Sequence, residues 1–342
     1  MSIFSQLEKT SRAISFHTPG HKGELNALDG TELDGAFPLD CIDAAQKKAA
    51  EHYGAKQVRF LVNGSSIGVK SMIMAVGGNI IAPENRHPAV DEGAALAGVR
   101  VYYVRTEQKN GLQMPITAEE IESQYRRHGD VKAALVVSPD YYGFTADLAK
   151  IRETCDRLGI YMLVDSAHGA HFASLDRFKS DKPLFPDSAT HIADACNLSA
   201  HKTMRAYTQS AFLAVNDERL TEKADYALKL LGTTSPSYIL MGQLEKAVEY
   251  ERENAEKYRL LASAIDKCVV GENFERVVND DPMRIVVGFE KIGLSGAAVY
   301  EALAKRGVYA EKYDAKYVVF IVTLSDAPEK IELLGEELRR IC

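Results

Sequence analysis

The stretch LAKIRETCDRLGIYMLVDSAH, Leu148–His168, decides the fold. Its first part, Leu148–Leu158, reads as a helix. Its second, Ile160–Val164, is an unbroken apolar run of strand length that passes directly into Asp165-Ser166-Ala167-His168. A helix leading to a short, wholly apolar strand indicates a sheet covered on both faces. In such sheets ligands sit at the carboxyl ends of the strands, where the polar residues stand here.

The same alternation extends outward from about Cys41 to Val215. Cys41–Tyr53 reads as a helix, with Gly54 just past its end. Arg59–Val62 is a short strand running into the turn Asn63-Gly64-Ser65-Ser66, and a helix follows to about Val76. Next come a strand at Asn79–Ala82, a helix at Ala89–Ala97 and a strand at Val99–Val104. Helix Ala118–Tyr125 leads to strand Ala133–Val137, and a further strand covers Ala193–Leu198. The fold class is therefore α/β, with a mainly parallel central sheet and helices on both faces.

After Tyr238 the pattern changes. One long helix is expected to about Ile265, bridging to a small C-terminal α/β unit. That unit has strands near Arg284–Phe289 and Tyr317–Leu324 and helices near Ser295–Arg306 and Pro328–Ile341. The first forty residues are rich in Gly and Pro and read as an irregular arm that joins the small unit. Three segments are expected: an N-terminal arm at 1–40, a large domain at 41–240 and a small domain at 241–342.

Composition narrows the function. The 342 residues are 46% hydrophobic and 26% charged, which fits a globular protein rather than a disordered one. The formal charge of -7, with no dense basic block, argues against nucleic acid as a partner. The five cysteines are scattered, odd in number and free of metal-type spacing, so reduced thiols in the cytoplasm and no metal are expected. No apolar run is long enough for a signal peptide or a membrane span.

Four polar clusters fall at strand ends. Asn63-Gly64-Ser65-Ser66 lies between a strand and a helix, where backbone N–H groups and two hydroxyls make either a phosphate cradle or an ordinary helix-capping turn. Asp165 is placed to bind a metal, a ribose or a pyridinium nitrogen, or to cap a helix. Ser199-Ala200-His201-Lys202-Thr203 puts a lysine among hydroxyls and a histidine. That is the setting of a Schiff-base amine, although taken alone a surface lysine on a loop is the favoured reading. His87 follows the strand at Asn79–Ala82 and, alone, reads as a structural or exposed histidine.

Taken together, these four are the parts that pyridoxal 5'-phosphate (PLP) needs: a phosphate anchor, an amine, a carboxylate for the ring nitrogen and a ring-stacking group. The sequence resembles the ornithine/lysine/arginine decarboxylase family of fold-type-I PLP-dependent enzymes over almost its whole length. The resemblance is carried by FHTPGHKG (Phe16–Gly23), TELDG (Thr31–Gly35), FLVNGSS (Phe60–Ser66), ENRHPAV (Glu84–Val90), VDSAHGAHF (Val164–Phe172), SAHKT (Ser199–Thr203), TTSPSY (Thr233–Tyr238) and VYAEKYD (Val308–Asp314).

The resemblance implies that Lys202 is the Schiff-base residue and that Ser65, Ser66, Ser199 and His201 are phosphate ligands. It implies that His87 stacks on the ring, that Asp165 partners the pyridinium, that Ala167 lies on the other ring face and that His168 sits beside the cofactor. Thr234, in TTSPSY, would reach the partner's cofactor in a homodimer with shared active sites. Glu311 would read the distal cation of the substrate.

The sequence also departs from the family pattern. Arg86 and Pro88 flank His87, Asp140 replaces a usual threonine, and Arg205 and Tyr207 follow the lysine where smaller residues are usual. The family normally continues into a C-terminal domain, whereas this sequence stops at Cys342, so a form without that domain is expected. The activity implied is decarboxylation of a basic amino acid to a polyamine-type amine. The alternatives are another PLP reaction on the same scaffold (lyase, aminotransferase or racemase) or a PLP-binding regulator without catalysis. A nicotinamide oxidoreductase is disfavoured because no Gly-x-Gly-x-x-Gly run follows the first strand.

Overall fold

The computed structural model describes residues 2–30, 40–176 and 179–341. The motif Thr31–Gly35 and the terminal Cys342 lie outside them. The strands are β1 Gln57–Leu61, β2 Asn79–Pro83, β3 Val101–Val104, the small hairpin β4 Gln108–Lys109 with β5 Leu112–Gln113, β6 Val131–Val137, β7 Tyr161–Asp165, β8 Ala195–Leu198 and β9 Ala211–Val215. A second group comprises β10 Glu275–Arg276, β11 Arg284–Gly288, β12 Lys312–Tyr313 and β13 Tyr317–Ile321. The helices are α1 Ile3–Thr10, α2 Asp40–Tyr53, α3 Ser65–Val76, α4 Ala89–Ala97, α5 Ala118–His128, α6 Leu148–Leu158, α7 Ala200–Thr203, α8 Glu218–Leu231, α9 Tyr238–Asn254, α10 Lys257–Cys268, α11 Gly296–Ala304 and α12 Pro328–Arg339.

Seven strands form the large sheet in the order β1-β9-β8-β7-β6-β2-β3. From β8 to β3 all neighbours are parallel. β9 runs against both of its neighbours. Period-two alternation sends successive apolar residues to opposite faces. Ile80, Leu135 and Leu163 join one apolar cluster with α3, α4 and α8. Ile81, Val136 and Val164 join another with α2, α6 and α9. The chain moves from β2 to β3 in one direction and from β6 to β7 in the other. That reversal opens a crevice at the carboxyl ends of β2 and β6.

The second sheet is antiparallel, in the order β10-β11-β13-β12. α10 and α12 pack together over its apolar cluster, which also takes in Phe172 and Phe185 from the segment after β7.

Two sequence expectations change. The helix expected over 238–265 is two helices that meet at Ala255 and Glu256. Both of these residues keep right-handed backbone angles, so no glycine or proline marks the bend. The N-terminal arm is not irregular throughout. Ser2 caps α1 by accepting a hydrogen bond from the Ser5 N–H. Ile3 and Leu7, one turn apart, enter the large apolar cluster, and the Ile3 N–H donates to Glu245 Oε2 on α9 at 2.8 Å.

One close approach fixes α3 on the sheet. A Cβ at Gly68 would lie 2.2 Å from Asn197 Oδ1 on β8 and 3.0 Å from a Leu61 methyl. Gly68→Ala should therefore destabilise the protein by about 1–2 kcal/mol, because overpacking outweighs the gain of roughly 1 kcal/mol in helix propensity. Urea denaturation checks this, and a stabilised variant would show that Asn197 is free to move.

Candidate active site

A cavity of about 430 Å³ opens at the carboxyl ends of the parallel strands. Of the residues singled out from sequence, Ser65, Ser66, His87, Asp165, Ala167, His168 and Lys202 line it. Ser199, His201, Thr234 and Glu311 are not among the lining residues.

Each wall follows from local structure. Ser65 and Ser66 open α3, whose N-cap is Gly64 at φ 81°, a conformation that suits glycine. Gly64 offers no side chain to cap the helix, and a Cβ there would meet nothing within 4 Å. The first turn therefore has no side-chain cap, and Ser65 and Ser66 line the cavity there, an arrangement suited to an anion. The Gly64 N–H donates to the Gln209 carbonyl at 2.9 Å, which ties this turn to the segment after Lys202. Ser199 is fully buried, and its Oγ has no hydrogen-bond partner among the described residues.

Asp165 ends β7 and is buried. Its Oδ1 accepts from Asn197 Nδ2 at 3.1 Å and from the Ala167 N–H at 3.2 Å. Burial pushes its pKa up; the Asn197 hydrogen bond, Lys202 and His87 counter that shift. His87 Nδ1 accepts from the Ala89 N–H at 3.1 Å, which leaves the ring proton on Nε2. The neighbouring Arg86 braces the local structure, pairing with Asp91 and lying 3.8 Å over the Tyr103 ring. Arg205 packs over Tyr250, away from the cavity lining.

Lys202 Nζ stands 3.2 Å from His168 Nε2, and His168 Nδ1 stands 3.2 Å from Arg284 Nη2. Burial, with Arg284 and Lys202 beside it, holds the His168 pKa well below the ordinary imidazole value. The Lys202 pKa is lowered, chiefly by burial and against the pull of Asp165 and Glu311.

Sequence reasoning missed several groups here. Arg284, Tyr141 and Lys312 converge on the site. Tyr141 packs against His168 at 4.6 Å between ring centres, and Lys312 Nζ lies 4.4 Å over the Tyr141 ring. Glu311 is exposed and bonds to the Tyr141 hydroxyl at 2.5 Å, while its neighbour Lys312 lines the cavity. Thr234 is exposed on a loop beside the Asn63 turn, where the Thr233 N–H approaches Asn63 Oδ1 at 3.4 Å. A charged residue heading the otherwise apolar strand RIVVG was the available signal for Arg284, because a buried cation needs partners. Among the described residues no cluster has the makings of a metal site, and no helix is long and apolar enough to cross a membrane.

A largely parallel sheet with a strand-end lysine, a buried strand-end carboxylate and an uncapped helix N-terminus around one cavity defines a fold-type-I α/β enzyme. The chain belongs to the Orn/Lys/Arg decarboxylase family, whose major domain matches residues 37–286. It is 29% identical to an arginine decarboxylase of Halalkalibacterium halodurans over 96% of this chain and 74% of that protein. It is 29% identical to one of Bacillus subtilis over 99% and 76%. Among solved structures, lysine decarboxylase A from Pseudomonas aeruginosa superposes with a TM-score of 0.81 at 18% identity. This chain spans 98% of its own length but 59% of that chain.

Asp140, after β6, is the carboxylate that departs from the family pattern, and it lines the cavity. Its Oδ1 accepts from the Tyr142 and Phe144 N–H groups at 2.9 Å, and its Oδ2 is buried without a partner among the described residues. Burial raises its pKa to about 6. A carboxyl group whose pKa is higher folded than unfolded costs stability as pH rises between the two values. Asp140→Asn keeps the acceptor and removes that cost, so its stability relative to the parent should improve by about 2 kcal/mol from pH 4 to pH 8. Urea denaturation of both chains across that range checks it; a difference independent of pH would place Asp140 in water.

Proposed function

We propose that this protein decarboxylates a basic amino acid, with PLP bound at Lys202. The observation that carries the reading is the meeting of Lys202, Asp165, His87 and the uncapped start of α3 around one cavity. The donor set fits the cofactor. The open space over Gly64 and the two serines suit a phosphate, and the unpartnered Ser199 Oγ adds a buried hydroxyl close by in sequence to the lysine. When bound, PLP supplies an electron sink for the pair released as the carboxylate departs as CO₂.

The remaining work falls to the chain. Ser65, Ser66, Ser199 and His201 would hold the phosphate, and Lys202 would carry the cofactor. Asp165 would keep a proton on the ring nitrogen. Its hydrogen bonds from Asn197 and Ala167 fix the carboxylate and leave Oδ2 for this role. His87, oriented by the Ala89 N–H, would stack on the cofactor, and the small Ala167 would leave room opposite it. Which bond of the substrate breaks would be a matter of how the chain orients it rather than of new groups. His87, His168 or Lys202 would return a proton to Cα.

Glu311, held by Tyr141 at the edge of the cavity, pairs with the distal cation of arginine, lysine or ornithine. Asp140 adds a second carboxylate inside the cavity. A homodimer with Thr234 contributed to the neighbouring site accords with that residue's exposure. It also accords with Ile14, Phe16 and Leu25, three large apolar side chains at least 85% exposed on one chain.

The direct test is to supply arginine, lysine and ornithine with PLP and measure CO₂ and amine against keto acid. Amine with matching CO₂ is expected; keto acid or no product would overturn the reading. Borohydride should fix the cofactor on the peptide containing Lys202, and Lys202→Ala should lose that adduct together with turnover. Glu311→Gln should lower the catalytic efficiency with basic substrates about ten- to a hundredfold, the worth of one charge-assisted hydrogen bond, while leaving cofactor absorption intact. Unchanged efficiency would remove Glu311 from substrate recognition.

A further inference from the structure

We propose that Arg284 is a positioning residue that keeps Lys202 as an uncharged amine by fixing the tautomer of His168. The inference rests on Lys202 being the nucleophile, and the geometry of three contacting groups carries it. Arg284 heads β11 with its side chain fully buried. A guanidinium has five N–H donors and no acceptor, and it does not lose its proton in proteins. Its Nη2 lies 3.2 Å from His168 Nδ1, so Nδ1 must present a lone pair. The single proton of the neutral imidazole is then on Nε2, which faces Lys202 Nζ at 3.2 Å.

An ammonium also has only donors. Set against an Nε2–H it would leave two hydrogens opposed, whereas a free amine accepts that hydrogen in its lone pair. The polarity therefore runs one way, from Arg284 N–H to Nδ1 and from Nε2–H to Nζ. The other tautomer sets N–H against N–H at Arg284, and so does the imidazolium, which would also oppose an ammonium at Nζ.

The surrounding charges are mixed. Asp165 and Glu311 favour a cation at Lys202, and Arg284 opposes it. His201, next in sequence, is itself held towards its neutral form by burial and by Lys202. Around His168, His171 and Lys312 add to the opposition to a positive charge. Arg284 keeps its own charge beside Asp281, with Asp140 nearby. A second tie, from His171 Nε2 to Asp281 Oδ1 at 3.2 Å, holds that carboxylate in place. Gly143 makes room for this arrangement, because a Cβ there would lie 2.9 Å from the Arg284 Cβ. Lys202 thus holds the lone pair needed to attack an aldehyde without first shedding a proton to water.

The test reads the amine itself, so it is independent of turnover. The full chain, freed of bound cofactor, is trace-labelled with acetic anhydride from pH 6 to 11. Labelling at Lys202 is followed by peptide mass spectrometry, with the exposed Lys291 as internal reference. The Lys202 midpoint is expected about 1 pH unit or more below that of Lys291. Arg284→Met should raise the Lys202 midpoint by a comparable amount, and Arg284→Lys, which also only donates, should keep it low. Equal Lys202 midpoints in the parent and Arg284→Met would overturn the proposal. A second measurement needs no variant: ¹⁵N NMR of the ring should show His168 as the neutral Nε2–H form throughout pH 6–8. An Nδ1–H form or an imidazolium in that range would also overturn it. Failure of PLP to bind would instead count against the proposed function and leave the labelling result standing.

Discussion

Taking the Asp165 carboxylate out of water is the constraint on which the rest of this site depends. A buried carboxylate needs donors, and Asp165 takes one from Asn197 on the neighbouring strand and one from the Ala167 backbone. Asn197 can sit there only because α3 presents Gly68, with no side chain, against its amide oxygen. The same helix begins one turn earlier at Ser65. The requirement that satisfies one carboxylate therefore also sets where the uncapped helix N-terminus points. The uncapped start of α3 and the buried acid, both on the cavity wall, are thus placed by a single packing decision.

A second buried polar set joins the two sheets. His168 and His171 leave the end of β7 and meet Arg284 and Asp281, at and just before the start of β11. Both contacts are shielded from water, so each donor must find an acceptor of matching sense. The lysine is thereby connected, through one imidazole, to a residue more than eighty positions further along the chain. Tyr141 and Lys312 close the same side of the cavity, and the Tyr141–Glu311 and Tyr142–Asp314 hydrogen bonds brace them.

Much of this was legible in the sequence, for a local reason. Apolar runs that stop abruptly at Asp165, Leu198 and Ala82 mark strand ends, and strand ends are where an open parallel sheet places its chemistry. Seven of the residues singled out from those strand ends and from the family resemblance line the cavity. Convergence over long distances was not legible. Nothing in the apolar run Ala211–Val215 encodes that it runs opposite to its neighbours. Arg284 reads as the rim of a strand until the fold buries it. Glu311 and Lys312 are adjacent, and adjacent residues in extended chain point to opposite sides. The motif located the segment, but which of the two side chains faces the cavity follows from the pairing of β12 with β13. The helix α1 was hidden by the glycines and prolines that follow it, although Ser2, Ile3 and Leu7 carried the capping and spacing signals.

The reversed strand β9 has a consequence for the order in which the molecule is assembled. β9 lies between β1 and β8, so β1, among the first elements made, has no partner in the sheet until residues 211–215 have been synthesised. A chain that ends before this point leaves β1 unpaired and one edge of β8 open, a liability for pairing with other chains. β8 and β9 are separated only by residues 199–210, so their pairing closes a short loop at small entropic cost. That loop is the one that carries Lys202, and the Gln209 carbonyl within it receives the Gly64 N–H. The event that seals the sheet during synthesis is thus also the event that brings the lysine and the Gly64 turn together.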